Sequence, residues 1–479
     1  MANPPMRNVM KFHFFNLTNP DEVLYYGAKP ELVESSAYAC IESEQKKYIE
    51  FNKEGSQLFY QNYKKYIYDS GESDEGTSFD DIVVFPNPTA TGAVAAMADP
   101  EVNMSRTTKL ATSIALLLLG EYPIITKKVR EVLFDGYNDA LLDIAHSPLL
   151  NVLSILLNEG KSIIPVAVPD MKKFGYFMGY NNSYDENFFI KTGKDDIDDL
   201  GGIVSWAGVH KLPSSWWSTD YSREIRGSDS ASFCKTKLKE TDELPFFQSF
   251  ICRSFTKTFS GKGVIQGIPA MEFSVPYEDF DTTSEKNAGF RYKNVEKVDY
   301  YPDWPGCPRN FCNSKCQSET CRFCCGRNIV NGTHLLPPGM FPLVCYPGHL
   351  KPAPFSVIYS APHFLYSPEQ VRKSVSGISP CEQKHRPMVY QHEQFTGSVI
   401  QVDYRIQINM PVMKSSLAVQ TTSLPNVDLL EKSVIAMLKR FNSDNSSEAA
   451  EMRSQHIANL THMFWKQNEN FANRSNILL

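Results

Sequence analysis

Between Val399 and Met410 apolar and polar side chains alternate without a break. Ile400, Val402, Tyr404, Ile406, Ile408 and Met410 stand against Gln401, Asp403, Arg405, Gln407 and Asn409. A period of two predicts one strand with a buried and a wet face, as in antiparallel sheets and barrels. Residues 46–69 read the same way. Tyr48–Phe51 and Leu58–Tyr60 flank Lys53-Glu-Gly55, where glycine suits the positive φ of a hairpin turn. Beyond the acidic loop Ser70–Thr77 the period lengthens to about 3.6. Asn103 or Ser105 caps a predicted helix that ends before Gly120, with Leu110, Ile114, Leu117 and Leu118 on one face. A second helix is predicted over Ile125–Phe134, with Val129, Val132 and Leu133 on one side. A third runs from Ser147 and Pro148 through Leu157 to Gly160. From about Phe174 to Met413 short strands and turns return. A polar linker then leads to an amphipathic helix carrying Leu430, Val434, Met437, Leu438 and Phe441, and to a polar tail from Asn442. The pattern predicts an α+β chain with a large β body and one helical insertion.

Composition narrows the function classes. The chain has 479 residues, 42% hydrophobic and 21% charged, with a net charge of −6. That describes a globular protein with a substantial core. Mild acidity without a basic stripe gives no basis for a nucleic-acid partner. No GxSxG, HExxH, Walker or Rossmann pattern occurs, so no catalytic role or cofactor is expected. The acidic run Asp195–Asp199 has Gly201 at a calcium-loop spacing. Leu200 occupies a ligand place there and no Glu closes the loop, so it reads as a solvated turn and no metal is expected. The histidines are scattered, and His385 and His392 are too far apart for one helical face; they read as packing or surface residues.

The cysteines point to a compartment. Of the 11, Cys307, Cys312, Cys316, Cys321, Cys324 and Cys325 crowd one stretch, followed by Cys345 and Cys381, with Cys234 and Cys252 upstream. Structural zinc also uses closely spaced thiolates, and Cys321-x-x-Cys324 has half of such a pattern. A second CxxC is missing, and adjacent Cys324-Cys325 suits tetrahedral zinc poorly. Glycosylation acceptor tripeptides begin at Asn16, Asn103, Asn181, Asn331, Asn445, Asn459 and Asn473. Beside clustered cysteines they favour disulfides in an oxidising lumen over zinc. Against this, the N-terminus Met-Ala-Asn-Pro-Pro-Met-Arg has no apolar core for secretion. The longest apolar stretch, Leu110–Leu119, falls short of the roughly twenty residues a membrane helix needs.

The order of several blocks carries a resemblance. Phe14-Phe-Asn-Leu-Thr-Asn-Pro-Asp-Glu-Val23 and Gly27-Ala-Lys-Pro-Glu31 open it. Asp81–Asn87, Leu116–Glu121, Val129–Tyr137, Tyr180–Ser183, Thr192–Asp195, Arg226–Phe233, Ile251–Ser254, Gly267–Pro269, Ala361–Tyr366, Thr396-Gly397 and Arg405–Asn409 continue it. In this order the chain resembles the class B scavenger receptor ectodomain over about residues 12–412. That family includes the fatty acid translocase, the high-density lipoprotein receptor and a lysosomal integral membrane protein. The resemblance implies a glycosylated ectodomain between two membrane passes, at the cell surface or in the lysosomal membrane. It implies an antiparallel β-barrel core with short helices, an apical helical bundle within about residues 88–160, and an internal hydrophobic tunnel. Residues 1–412 would then be the ectodomain, with a cysteine-rich segment at about 299–347, and 413–479 a linker, helix and divergent tail. Ligands implied are fatty acids, sterols, phospholipids or lipoprotein particles, captured at the apex and passed toward the membrane. A protein cargo or adhesion partner bound by the apical helices is the other reading.

Lys127, Lys128 and Arg130 are apical candidates for attracting anionic lipid surfaces, with Glu121 and Glu131 offsetting their charge. Cys252 and Cys345 match a family disulfide. The family cysteine upstream of the Gly-Ser-Asp block falls near Ser222 here, with Cys234 as a stand-in, and the connectivity of the remaining cysteines stays open. Met1 stands where the resemblance places the end of a first membrane helix, and a polar tail stands where it places the second. The expectation is a truncated form or an unanchored relative.

Overall fold

The computed structural model describes residues 8–98, 119–145, 172–292, 336–353 and 357–412, together with Lys109, Thr112, Ser113 and Leu116. The predicted helices at 147–160 and 430–441, and the cluster Cys307–Cys325, lie outside the described residues. The fold is mixed, mostly strands with a few short helices, and its strands are numbered β1 to β20 along the chain. A five-stranded antiparallel sheet has the order β1 (Asn8–Phe12), β4 (Tyr38–Phe51), β5 (Gln57–Tyr68), β10 (Ser183–Lys191), β11 (Ile203–Trp206). A six-stranded sheet has the order β12 (Ser228–Asp229), β13 (Glu243–Gln248), β14 (Arg253–Ile265), β15 (Ile268–Ser274), β18 (Met388–Glu393), β19 (Val399–Tyr404). Three short strands, β16 (Met340–Pro342), β17 (Ile358–Ser360) and β20 (Gln407–Asn409), form a third. Ribbons pair β2 (Phe15–Leu17) with β3 (Leu32–Glu34), β6 (Ile82–Pro86) with β7 (Ile124–Lys128), and β8 (Tyr137–Asn138) with β9 (Lys173–Phe174). Among the described residues no sheet closes on itself. The expected single barrel is instead a set of curved sheets with free edges.

The hairpin read at 46–69 is present. β4 and β5 pair from Cys40↔Tyr68 to Phe51↔Leu58, and Gly55 turns the chain at φ +70°. The strand read over Val399–Met410 is divided. β19 ends its ladder with β18 at Tyr404↔Met388, and β20 pairs with β17 in a different sheet. The predicted inward face does not hold on either strand: Val402 and Ile408 are exposed, while Gln407 is buried with its Oε1 accepting from the His363 amide at 2.7 Å. The helix predicted over Ile125–Phe134 is strand β7 followed by a π-helical turn, Glu131–Asp135, which buries Val132 and Leu133. Adjacent β-branched Ile124, Ile125 and Thr126 favour the strand. The helix ending at Gly120 keeps helical backbone at its four described positions, and Gly120 takes φ +69°. Before it lies α2 (Pro88–Ala98), after α1 (Pro20–Tyr26). α3 (Ala140–Ala145) follows β8.

One core draws on all three sheets. Tyr60, Phe188 and Trp206 of the first meet Phe246, Phe247, Phe255 and Tyr390 of the second and Phe341 and Tyr359 of the third. A second core joins Tyr38, Tyr66 and Phe177 to Phe79, Val129, Leu133 and Leu142. The six-stranded sheet also buries a cation. Lys257 is 1% exposed, with Nζ 2.9 Å from His392 Nε2 and 4.2 Å from the Tyr390 ring centre. His392 Nδ1 donates to the Gly397 carbonyl at 3.0 Å, which leaves Nε2 free to accept from the lysine. Burial drives Lys257 down to about 7. Burial and the neighbouring ammonium drive His392 down to about 3. A lysine whose folded value lies below its unfolded value withholds stability as pH falls from the ordinary lysine range to about 7. The unfolding free energy of the wild type relative to Lys257→Met should therefore rise between about pH 7 and about pH 9, by up to ~1.4 kcal/mol per pH unit. Denaturant titrations across that range that show a flat difference contradict this.

Candidate functional site

The inward face of the first sheet is half polar. On β5, Tyr60, Asn62 and Tyr66 are buried and alternate with Gln61, Tyr63 and Lys65 on the outer face. Asp229, 2% exposed, gathers them: its Oδ2 accepts from Tyr60 at 3.0 Å and Asn62 at 2.9 Å, with Lys46 Nζ at 3.7 Å. Lys46 lies 4.2 Å above the Tyr60 ring, and Lys64 pairs with buried Asp185 at 2.8 Å. Burial and the Asp229 charge hold the Tyr60 hydroxyl well above its usual value. The Arg226–Phe233 block is what delivers Asp229. Gly227 takes φ +72°, and a Cβ there would overlap the Pro245 carbonyl, so only glycine lets this segment lie against β13. Ser230 and Ala231 then turn the chain in left-handed conformations just after Asp229.

At the other end of the same core the polar groups are not matched. Cys252 and Cys345 form a disulfide, Cα–Cα 6.2 Å apart, across 93 residues of sequence. In the chain-entropy view a loop of that length is worth ~5 kcal/mol. The bridge fixes the start of β14, where Arg253 is 1% exposed. Its Nη2 donates to the Asp279 carbonyl, and the guanidinium centre lies 3.9 Å from the Phe290 ring, 4.2 Å from Phe341 and 4.6 Å from Phe255. The Tyr359 hydroxyl stands against this guanidinium as a hydrogen-bond neighbour, and the buried Trp206 indole N–H makes no hydrogen bond. Burial pushes the Tyr359 hydroxyl up, and the guanidinium pulls partly back. The Asp279 carboxylate is turned elsewhere, accepting from the Thr256 amide at 2.9 Å with Lys286 Nζ at 3.5 Å. Buried donors normally have acceptors, and a buried cation normally has a counter-charge. Here the buried guanidinium is held by the Asp279 carbonyl and three aromatic rings, with no carboxylate within ion-pair distance among the described residues.

The basic candidates are dispersed. Lys128 and Arg130 pair with Asp80 at 3.1 and 2.9 Å on the exposed side of β7, and Lys127 Nζ lies 4.7 Å over the Tyr137 ring. Glu121 does not offset them, because it is 6% exposed and bound to Asn87 and to the Ala140 amide. Glu131 does meet Lys128, through the backbone amide at 3.0 Å. Cys234 and Cys381, expected among the bridged cysteines, carry free thiols, as does Cys40, which burial pushes up to about 12. Ser222 is a capping-box residue with Thr219. Of the glycosylation candidates, Asn16 accepts from the Val84 amide at 2.8 Å and exposed Asn181 from the Tyr66 amide at 2.9 Å. Asn103, Asn331, Asn445, Asn459 and Asn473 lie outside the described residues. Asp196 caps the short turn read from the acidic run, accepting from the Asp198 amide at 3.0 Å. A pocket of 260 Å³ at the tip of the β4–β5 hairpin is lined by Phe51, Phe59 and Phe189 with Glu50, Asn52 and Gln57. Arg253, Asp229 and Lys257 escaped notice because nothing in their local spacing separates a buried charge from a surface one. Arg253 did stand inside the Ile251–Ser254 block.

The sequence matches the profile of the CD36 family over residues 2–429, and the chain belongs to that family. An uncharacterized protein of Caenorhabditis elegans is 51% identical over 426 residues, 89% of this chain and 77% of its own length. Lysosome membrane protein 2 of Homo sapiens is 27% identical over 421 residues, 87% of this chain and 72% of its own. Scavenger receptor class B member 1 of Mus musculus is 28% identical over 272 residues, 57% of this chain and 48% of the receptor. The chain thus stands among receptor and membrane-protein relatives. No helix among the described residues is long and apolar enough to cross a membrane.

Removing Asp229 takes away the acceptor of the buried Tyr60 hydroxyl and Asn62 amide and one of the two carboxylates beside Lys46, leaving Glu44 at 3.4 Å. Asp229→Ala should cost about 3–5 kcal/mol of stability, the range for breaking a buried ion pair. Chemical denaturation measures it, and a loss under about 1 kcal/mol would place the group at the level of surface pairs.

Proposed function

We propose that this chain is the lipid-handling ectodomain of a scavenger-type receptor. Residues 1–412 form the working unit. Its helical segment within about 88–160 captures a hydrophobic ligand, and the interior of the β body passes that ligand toward a cell-surface or lysosomal membrane. The ligands are fatty acids, sterols, phospholipids or the surface of lipoprotein particles. The observation that carries this reading is the interior around Arg253, where Phe255, Phe290 and Phe341 surround a buried guanidinium that has no carboxylate paired to it. Such a lining suits an amphiphile with an apolar chain and an anionic or carbonyl head. Burying ~16 methylenes yields ~13 kcal/mol gross before ordering costs, so binding needs shelter from water and no bond chemistry. Lys127, Lys128 and Arg130 supply a basic rim, tempered by Asp80.

A protein-cargo or adhesion receptor is the competing reading, favoured by the longer match to lysosome membrane protein 2. Lipid extraction and mass spectrometry of the purified glycosylated chain separates the two. Co-purifying acyl or sterol species near one per chain are expected. An interior free of lipid, in a chain that still captures a protein, would overturn the lipid reading.

A further inference from the structure

We propose that Asn87, Thr89, Glu121 and Asp139 form a latch closed by a shared proton, which ties the start of α2 to the start of α3 more firmly in acid than at neutral pH. The inference stands apart from the lipid reading and rests on counting hydrogens. Asn87 caps α2, with its carbonyl accepting from the Thr91 amide at 2.9 Å and its side-chain Oδ1 from the Thr89 amide at 3.3 Å. Its Nδ2 donates to Glu121 Oε2 at 2.8 Å. These two neighbours set the amide's orientation, because a flipped group would turn an N–H toward the Thr89 N–H and an oxygen toward a carboxylate. Asp139 caps α3, its Oδ1 accepting from the Leu141 and Leu142 amides at 3.0 and 3.1 Å. Glu121 Oε1 accepts from the Ala140 amide at 3.0 Å.

Thr89 Oγ1 sits between the two caps, 2.7 Å from Asn87 Oδ1 and 2.5 Å from Asp139 Oδ2. Both are acceptors when Asp139 is ionised, and a threonine hydroxyl has one hydrogen. One of the two contacts would then be oxygen against oxygen with nothing between. The arrangement closes only when Asp139 Oδ2 carries a hydrogen and donates to Thr89, which donates on to Asn87. All four side chains are buried. Burial and the facing Asp139 raise the Glu121 carboxyl, and burial raises that of Asp139. The charged or titratable groups facing the pair among the described residues are Lys127, which favours ionised Asp139, and Tyr137, beside which Tyr176 lies.

The sign follows. Carboxyls held above their unfolded values contribute stability in acid, lost as pH rises through the folded values. Above that window two buried carboxylates repel and Thr89 holds only one cap. The junction under the helical segment loosens.

Hydrogen exchange of the full chain, corrected for intrinsic rate, tests this at the Ala140, Leu141 and Leu142 amides. Exchange should be about tenfold or more faster at pH 7.5 than at pH 5. In Asp139→Asn, where the amide permanently donates to Thr89, protection should be equal at both pH values. If that variant does not fold, Glu121→Gln gives the opposite control: it leaves the Asp139 proton and Thr89 in place, so the pH dependence should persist there. Equal protection in the wild type, a dependence that persists in Asp139→Asn, or one that vanishes in Glu121→Gln overturns the latch.

Discussion

A sheet that turns a half-polar face inward has to find partners for every polar group on that face, and the rest of the molecule is arranged around how it does so. Asp229 is the answer on the first sheet. One carboxylate, delivered by a segment that only glycine at 227 allows against β13, accepts from Tyr60 and Asn62 and stands beside Lys46. The partners come from the β4–β5 hairpin and the acceptor from the second sheet, so satisfying the charge also docks two sheets. Around Arg253 the same requirement is left open. The contrast matters because both places belong to one continuous aromatic core.

The hairpin, the strand-rich body and the helix ending at Gly120 were legible because each rests on local chemistry: a glycine at positive φ, a period of two, a cap. What was not legible follows from side chains whose polarity does not mark their face. On β5 the inward face includes buried Asn62 and half-buried Lys64, and the outer set includes Phe59 and Ile67, so alternation alone cannot say which face is core. The Val399–Met410 pattern is perfect as a string and still belongs to two sheets, because periodicity is blind to a change of neighbour. β7 was read as helix because Val129, Val132 and Leu133 share a helical spacing, while the β-branched run before them paired with β6.

Of the site, the Cys252–Cys345 bridge was legible. The blocks that carried the family resemblance now have physical work: Arg226–Phe233 supplies the network anion, and Ile251–Ser254 the bridge and the buried guanidinium. Asp81–Asn87 and Leu116–Glu121 end on two members of the latch. Their roles were hidden because each is completed by residues distant in sequence. Thr89 meets Asp139 across 50 positions and Tyr60 meets Asp229 across 169. Of the basic residues chosen from charge alone, Lys128 and Arg130 have their acid nearby in space, at Asp80.

The central claim is that the aromatic interior receives the ligand. Photocrosslinking with a diazirine-bearing long-chain fatty acid, followed by peptide mapping, tests it most directly. The account predicts adducts on the peptides carrying Arg253–Phe255, Phe290 and Phe341–Tyr359, competed by unlabelled fatty acid. Adducts confined to surface positions such as the β4–β5 hairpin tip, with none in the interior, would contradict it.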